Sequence, residues 1–228
     1  FLYFIDSTQF HFKMADLDKF VKLLGQTDGR DKIYKALAGL VKVLAACSSK
    51  DQAKLLGGLG KSIGEGRSIM RLIKWVGNIQ KLNGLLPKLA APNTKNIVET
   101  IRVIGDFGYI FGDNVQYLSK YKVLSFNAAD VARKSKVFQF WGYIAAVLLD
   151  IFALQAARAK AASDKATADK EIKAGVINVT KNLCDTLVVL ATVGYLSSVY
   201  KPSAKTTGAL TLASGAIATY QNWNKLKQ

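Results

Sequence analysis

The sequence predicts an all-α, membrane-associated protein, with amphipathic helices in its N-terminal region and membrane-embedded helices toward its C-terminus. Three observations carry that expectation. Half of the 228 residues are hydrophobic, yet the formal charge is +16 and mean hydropathy is +0.14. Membrane proteins combine apolar segments with basic flanks facing anionic lipid in this way, whereas a nucleic-acid binder of equal charge is ordinarily more polar. Apolar residues recur at helical spacing, and the chain has only three prolines to interrupt them. Finally, the region beyond residue 136 holds three long runs almost free of charge. Low-complexity polar sequence is nearly absent, which argues against a disordered tail.

The first thirteen residues, FLYFIDSTQFHFK, have neither the sustained apolar core nor the cleavage site of a signal peptide. They are expected to be a non-native or disordered leader (1–13) that packs against nothing. A processed targeting extension is the competing view, and its few basic residues count against it. From Asp16 to about Leu24 a short helix is expected, with Phe20, Leu23 and Leu24 inward. A break follows at TDGRDK, where Asp28 is the expected N-cap and Asp31 lies three residues later, beside free N–H groups. The next helix runs to about Cys47. Its apolar line is Ile33, Leu37, Leu40, Val41 and Leu44, with Lys32, Lys35 and Lys42 away from it.

Residues 48–66 contain five glycines, at 57, 58, 60, 64 and 66. Each costs about 1 kcal/mol in a helix relative to alanine, so this stretch reads as a loose helix around Leu55, Leu56, Leu59 and Ile63. The Gly-x-Gly pairs lack a preceding strand and a Walker lysine, so no nucleotide site is expected.

Arg67 to Leu82, RSIMRLIKWVGNIQKL, is the candidate functional stretch. At 100° per residue, Arg67, Arg71, Lys74, Asn78 and Lys81 share one line, while Ile69, Leu72, Ile73, Val76 and Ile79 lie opposite. Such a helix suits an anionic bilayer interface, its apolar face sunk roughly 5–10 Å. Each basic residue contributes roughly 1 kcal/mol there, and each fully buried aliphatic roughly 1.5–3 kcal/mol. The expected membrane-binding residues are Arg67, Ile69, Arg71, Leu72, Ile73, Lys74, Trp75, Val76, Ile79 and Lys81. The same stripe also suits the inner face of a soluble bundle.

Pro87 and Pro92 mark a loop before a helix from Ile97 to Leu118. Its Glu99, Arg102, Asp106 and Asp113 are too many charges for an easy lipid-exposed span, so it is expected to pack on the preceding helices or insert in part. Lys120–Lys136 reads as a polar connector. Val137–Ala157 has the length of a span, with Asp150 its only charge and Phe138, Trp141 and Tyr143 gathered at one end. Arg158–Lys181 is expected to be a charged, exposed helical connector. Thr186–Tyr200 and Thr206–Asn224 then form a membrane hairpin across the KPSAK turn, the second rich in small residues that let helices approach closely. The alternative is a buried hairpin in a soluble bundle. The organisation is therefore a leader (1–13), an amphipathic helical region (14–118), a basic connector (119–136) and a membrane region (137–228).

Catalysis is not expected. His11 is the only histidine, Cys47 and Cys184 lack metal or redox spacing and read as small buried hydrophobes, and no nucleophile–base pair is apparent. No catalytic, cofactor or metal residue is expected, and no nucleic-acid partner.

In order and kind, these landmarks resemble the peroxin-eleven family of peroxisomal membrane proteins. The resemblance rests on FVKLLGQTDGRDKIYKALAGLVKVLA, from Phe20 to Ala45, with Thr27, Gly29, Arg30, Asp31 and Lys32 as its core. Arg71, Leu72, Ile73, Lys74 and Trp75 are similar to the family's membrane-remodelling helix, although Ser68 and Ile69 stand where a basic pair is usual. GALTLASGAIATYQNW, from Gly208 to Trp223, is similar to its terminal segment. The wording is most similar to glycosomal versions. The resemblance implies an integral membrane protein of peroxisomes or glycosomes that elongates the organelle and promotes its proliferation and fission. It further implies self-association, dynamin-type fission factors and a peroxisomal membrane-protein import receptor as partners. The alternative reading is a metabolite-conducting pore lined by Asp150, Glu99, Arg102 and Asp106.

Overall fold

The computed structural model describes residues 14–226 apart from Pro92; the expectation for residues 1–13, and Pro92 as a loop marker, lie outside the described residues. Eight α-helices and one 3₁₀ turn make up the described chain, and no strand occurs among the described residues. The helices are α1 (Met14–Gly25), α2 (Thr27–Cys47), α3 (Lys50–Met70), α4 (Val76–Leu85), α5 (Thr94–Lys120), α6 (Ala128–Lys160), α7 (Lys165–Val193) and α8 (Ala204–Lys225). Pro87 lies in the 3₁₀ turn Leu86–Leu89. Helix starts follow local chemistry. The side chains of Asn93, Asn127, Asp164 and Ser203 each accept a backbone N–H of the helix that follows, satisfying donors that the helix leaves free.

Neighbour relations run α2 to α8, α8 to α7, α7 to α6 and α6 to α5, and α3 touches both α2 and α5. Two of these contacts are made by glycine. A Cβ on Gly39 of α2 would lie 2.7 Å from Leu212 Cα and 2.8 Å from the Gly208 carbonyl of α8. One on Gly105 of α5 would lie 2.5 Å from Gly142 Cα of α6. Both helix pairs therefore meet backbone to backbone, the close approach that small residues permit where lipid supplies no hydrophobic drive between helices. The small residues of α8 do meet a helix, but that helix is α2 as well as α7.

Burial in α2 departs in part from the expected pattern, since Val41 is buried and Lys42 exposed as expected while the leucines and Lys35 are not as expected. Asp31, Gly39 and Val41 are buried, and Lys35 reaches Asp185 of α7 at 2.5 Å. Leu37, Leu40 and Leu44, placed on the inner line by sequence, are exposed, as is Phe20 of α1. Polar groups and glycine face the neighbouring helices, and leucines face outward. In water this would be costly; next to hydrocarbon it is favourable.

Several boundaries differ from expectation. The polar connector shrinks to residues 121–127, because α6 begins at Ala128 and carries Arg133, Lys134 and Lys136 on its first turns. Arg158–Lys181 is not one helix: the chain turns at 161–164, and Lys165–Lys181 is continuous with the apolar run that follows, to Val193. There Gly194 closes α7 in a left-handed conformation, φ 74°, so Thr186–Tyr200 is not a separate span. Among the described residues, α6 and α7 are the two helices long and apolar enough to cross a membrane; α8 does not meet that measure. The charges of α7 misled the reading, since Lys181 and Asp185 turn inward and Asn182 donates to Asp150 of α6 at 2.5 Å. Cys47 is exposed rather than buried.

The 48–66 region is also more regular than expected. It belongs to α3, a continuous helix with no buried residue. A Cβ at Gly57, Gly58, Gly64 or Gly66 would meet open space. Gly64→Ala and Gly66→Ala should therefore each stabilise the helix by about 1 kcal/mol, seen as a higher midpoint in denaturant unfolding.

Candidate membrane interface

The sequence from Arg67 to Leu82 does not form one helix. α3 ends at Met70, residues 71–75 form successive turns, and α4 starts at Val76. Within the break, i+3 bonds replace the helical ladder: Leu72 N–H to the Ile69 carbonyl at 3.0 Å, Lys74 N–H to Arg71 at 3.2 Å and Val76 N–H to Ile73 at 3.0 Å. Ile73 adopts φ 64°. A β-branched side chain disfavours this left-handed region, and such a residue costs of order 1–3 kcal/mol unless its surroundings impose it.

Asn114 of α5 imposes it. Its Oδ1 accepts the Ile73 N–H at 2.9 Å, and its Nδ2 donates to the Arg71 carbonyl at 3.2 Å. One buried amide thus holds both sides of the break. Asn114→Ala should cost about 2 kcal/mol and raise the exchange rate of amides 72–76, measured by hydrogen exchange. Unchanged protection there would remove Asn114 from this role.

Two of the four cations expected at lipid phosphates, Arg67 and Arg71, turn inward. Arg71 is buried, with Nη2 3.1 Å from Asp113 Oδ2, and Nη1 donating to the Tyr109 hydroxyl at 2.8 Å. Its guanidinium also lies 5.4 Å from the Tyr109 ring centroid. Arg67 Nε donates to Asp31 Oδ1 at 2.9 Å, and Ser68 donates to Asp113 at 3.3 Å. Lys74 pairs with Asp28, while Asn78 is buried. Of the expected cationic line, only Lys74 and Lys81 are exposed. This corrects the wheel reading for Arg67 and Arg71, because α5 and α2 supply acceptors that a single-helix projection cannot contain.

Electrostatics reinforce the cluster. Burial alone would raise the Asp31 carboxyl, but Arg67, Lys32 and Arg71 outweigh it and hold Asp31 well below the usual carboxylate range. Tyr109 is pulled down by Lys136 and Arg71 against the upward push of burial. The expected cap at Asp28 is absent: α2 is preceded by Gln26, with no side-chain cap. Asp31 serves as a tertiary ion-pair partner instead of meeting free N–H groups.

The aliphatic residues of the expected stretch lie at the surface. Ile69, Leu72, Ile73, Val76 and Ile79 are all exposed, from 37% for Leu72 to 68% for Ile73. Trp75 is half-buried, edge-on to Phe107 and Phe111 at centroid distances of 6.3 and 5.6 Å. The break is thus pinned on its polar side and leaves an aliphatic ridge free.

Sequence reasoning missed Asn114, Asp113 and Tyr109 as parts of this site. A signal existed: Arg102, Asp106, Tyr109 and Asp113 recur at four, three and four residues, one polar stripe along α5. A stripe of that kind on a long apolar helix marks a face turned to other helices.

A family model described as peroxisomal biogenesis factor 11 (PEX11) matches residues 17–223. The chain is also similar to the peroxisomal membrane protein 11 homolog of Dictyostelium discoideum, 27% identical over 180 residues, or 78% of this chain and 69% of that one. No solved structure matches it.

Proposed function

Because the chain belongs to the peroxisomal biogenesis factor 11 family, and so to the membrane proteins of peroxisome biogenesis, we propose that it elongates the organelle membrane by wedging its aliphatic ridge into one leaflet. The supporting observation is the joint exposure of Ile69, Leu72, Ile73, Val76 and Ile79 beside a break anchored by Asn114 and Arg71. Burying five such side chains contributes up to roughly 1.5–3 kcal/mol each, enough to hold a shallow insertion against the cost of ordering. Area added to one monolayer curves it, and self-associating copies carried on α6 and α7 as integral spans concentrate that area into a tube.

The test is reconstitution of the full chain into vesicles containing anionic phospholipid. Leu72→Ser, Ile73→Ser and Val76→Ser together should abolish tubulation, with an unchanged helical circular-dichroism spectrum confirming that the fold, in which all three side chains are exposed, is retained. Tubulation at the original level would refute the reading. Charge reversal is informative at Lys81, which is exposed, and uninformative at Arg71, whose loss would leave Asp113 buried alone. Lys81→Glu should weaken vesicle binding by about fivefold at low ionic strength and less at high salt.

A second reading, solute conduction, is favoured by the buried polar groups shared between helices. Lys35 pairs with Asp185, Asn182 binds Asp150, and the carboxyl of half-buried Asp106 is raised by burial. Such groups mark ion or solute paths when apolar helices enclose them. Planar-bilayer recording decides: discrete currents altered by Asp106→Asn support conduction, and silent bilayers oppose it.

A further inference from the structure

We propose that the mouth of the α7–α8 hairpin binds the phosphate of an anionic glycerophospholipid, at a site separate from the 67–82 ridge. A cavity of about 490 Å³ opens there, between the start of α7 and the end of α8. Lys170, Lys173 and Lys225 line it with Tyr220, and Ala174 and Ile177 form its apolar wall. Asn178 accepts from Gln221 Nε2 at 2.6 Å, tying the two helices together beside it.

The charge balance is one-sided. Among the described residues no carboxylate lines the cavity, and nearby Glu171 is already occupied by Lys160 at 2.7 Å. Three lysines therefore line one cavity with no carboxylate among its described lining residues. A phosphate suits them, because each lysine offers a compact charge on a flexible stem that can reach a common oxygen set.

Position selects a lipid as the carrier of that phosphate. Lys173 directly precedes the stretch of α7 from Ala174 to Val193, where Lys181 and Asp185 are the only charges in a helix apolar enough overall to cross a membrane. Where an apolar helix leaves hydrocarbon, lysine and tyrosine lie at headgroup depth, and basic clefts between such helices hold lipid headgroups. The apolar wall at Ala174 and Ile177 then leads from the lysines toward the acyl region. A soluble phosphoester would leave that wall uncovered.

The test uses the full chain in phosphatidylcholine nanodiscs containing a minor share of phosphatidylinositol, with retained lipid counted by native mass spectrometry after detergent release. Wild-type protein should retain phosphatidylinositol selectively. Lys170→Gln, Lys173→Gln and Lys225→Gln together should reduce retention by more than about tenfold. A control carrying Lys88→Gln, Lys95→Gln and Lys134→Gln loses the same charge elsewhere and should behave as wild type. Equal loss in both variants, or loss in neither, overturns the site. A further arm adds sn-glycerol 3-phosphate. Displacement of the lipid by this soluble ester at comparable concentration overturns the lipid assignment, and persistence of the lipid supports it.

Discussion

Replacing Asp31 by Asn should destabilise the fold by about 3–5 kcal/mol, read as a lower midpoint of denaturant unfolding in detergent micelles. Asp31 is 2% exposed and lies 2.9 Å from Arg67 and 3.1 Å from Lys32. Removing one partner of a buried ion pair leaves the other uncompensated, and that asymmetry sets the magnitude. The loss falls on the functional region directly, since Arg67 lies one turn before the 71–75 break. The double variant with Arg67→Gln should lose less than the sum of the two singles, because the second change removes a charge already left alone.

The pH dependence has a definite sign. The folded Asp31 carboxyl titrates below its ordinary value of 3.8, so its stabilisation is fully present above that value and is lost only as pH falls through the lower folded one. The gap between wild type and Asp31→Asn should therefore stay constant from pH 7 to about 4 and narrow below that. A gap already closed at mildly acidic pH would show that Asp31 is not held by these cations.

Gly39→Leu should separate α2 from α8 and cost about 3 kcal/mol or more, beyond the usual range for overpacking. Even alanine places its Cβ 2.7 Å from Leu212 Cα, and a backbone cannot step aside as a side-chain end can. Helix propensity would return only about 1 kcal/mol. The expected readout is faster tryptic cleavage at Lys205 and Lys225, together with a lower unfolding midpoint. Wild-type protection would mean that the two helices do not meet at this glycine. The opposite sign expected at Gly64 and Gly66 makes the pair of experiments a test of packing rather than of glycine content.

Helical class, the approximate extents of α1 and α2, and the helix through Val137–Ala157 were legible in the sequence, because apolar periodicity is a local signal, although the cap expected at Asp28 is absent. The 71–75 break was not. No glycine or proline lies between Arg67 and Val76; the cause is Asn114, some forty residues later, whose amide competes with the helical ladder. Likewise Lys35 and Lys181 read as outward-facing charges because each was judged on its own helix, whereas Lys35 pairs with Asp185 of α7 and Lys181 is half-buried. Leu37, Leu40 and Leu44 were correctly seen as one stripe, yet assigned inward because the direction of a stripe depends on the solvent. Asp31 was noticed for its position near a helix start, although its side chain answers to α3.

The short turn at 161–164 fixes sidedness. α6 and α7 run antiparallel across it, with Gly175 against Leu154 and Asn182 against Asp150. If both cross the bilayer, the chain returns to the compartment from which it departed. An epitope inserted at 123 and another at 199 would then share one fate under protease added to sealed organelles, both digested or both spared, and one placed at 162 would show the opposite fate.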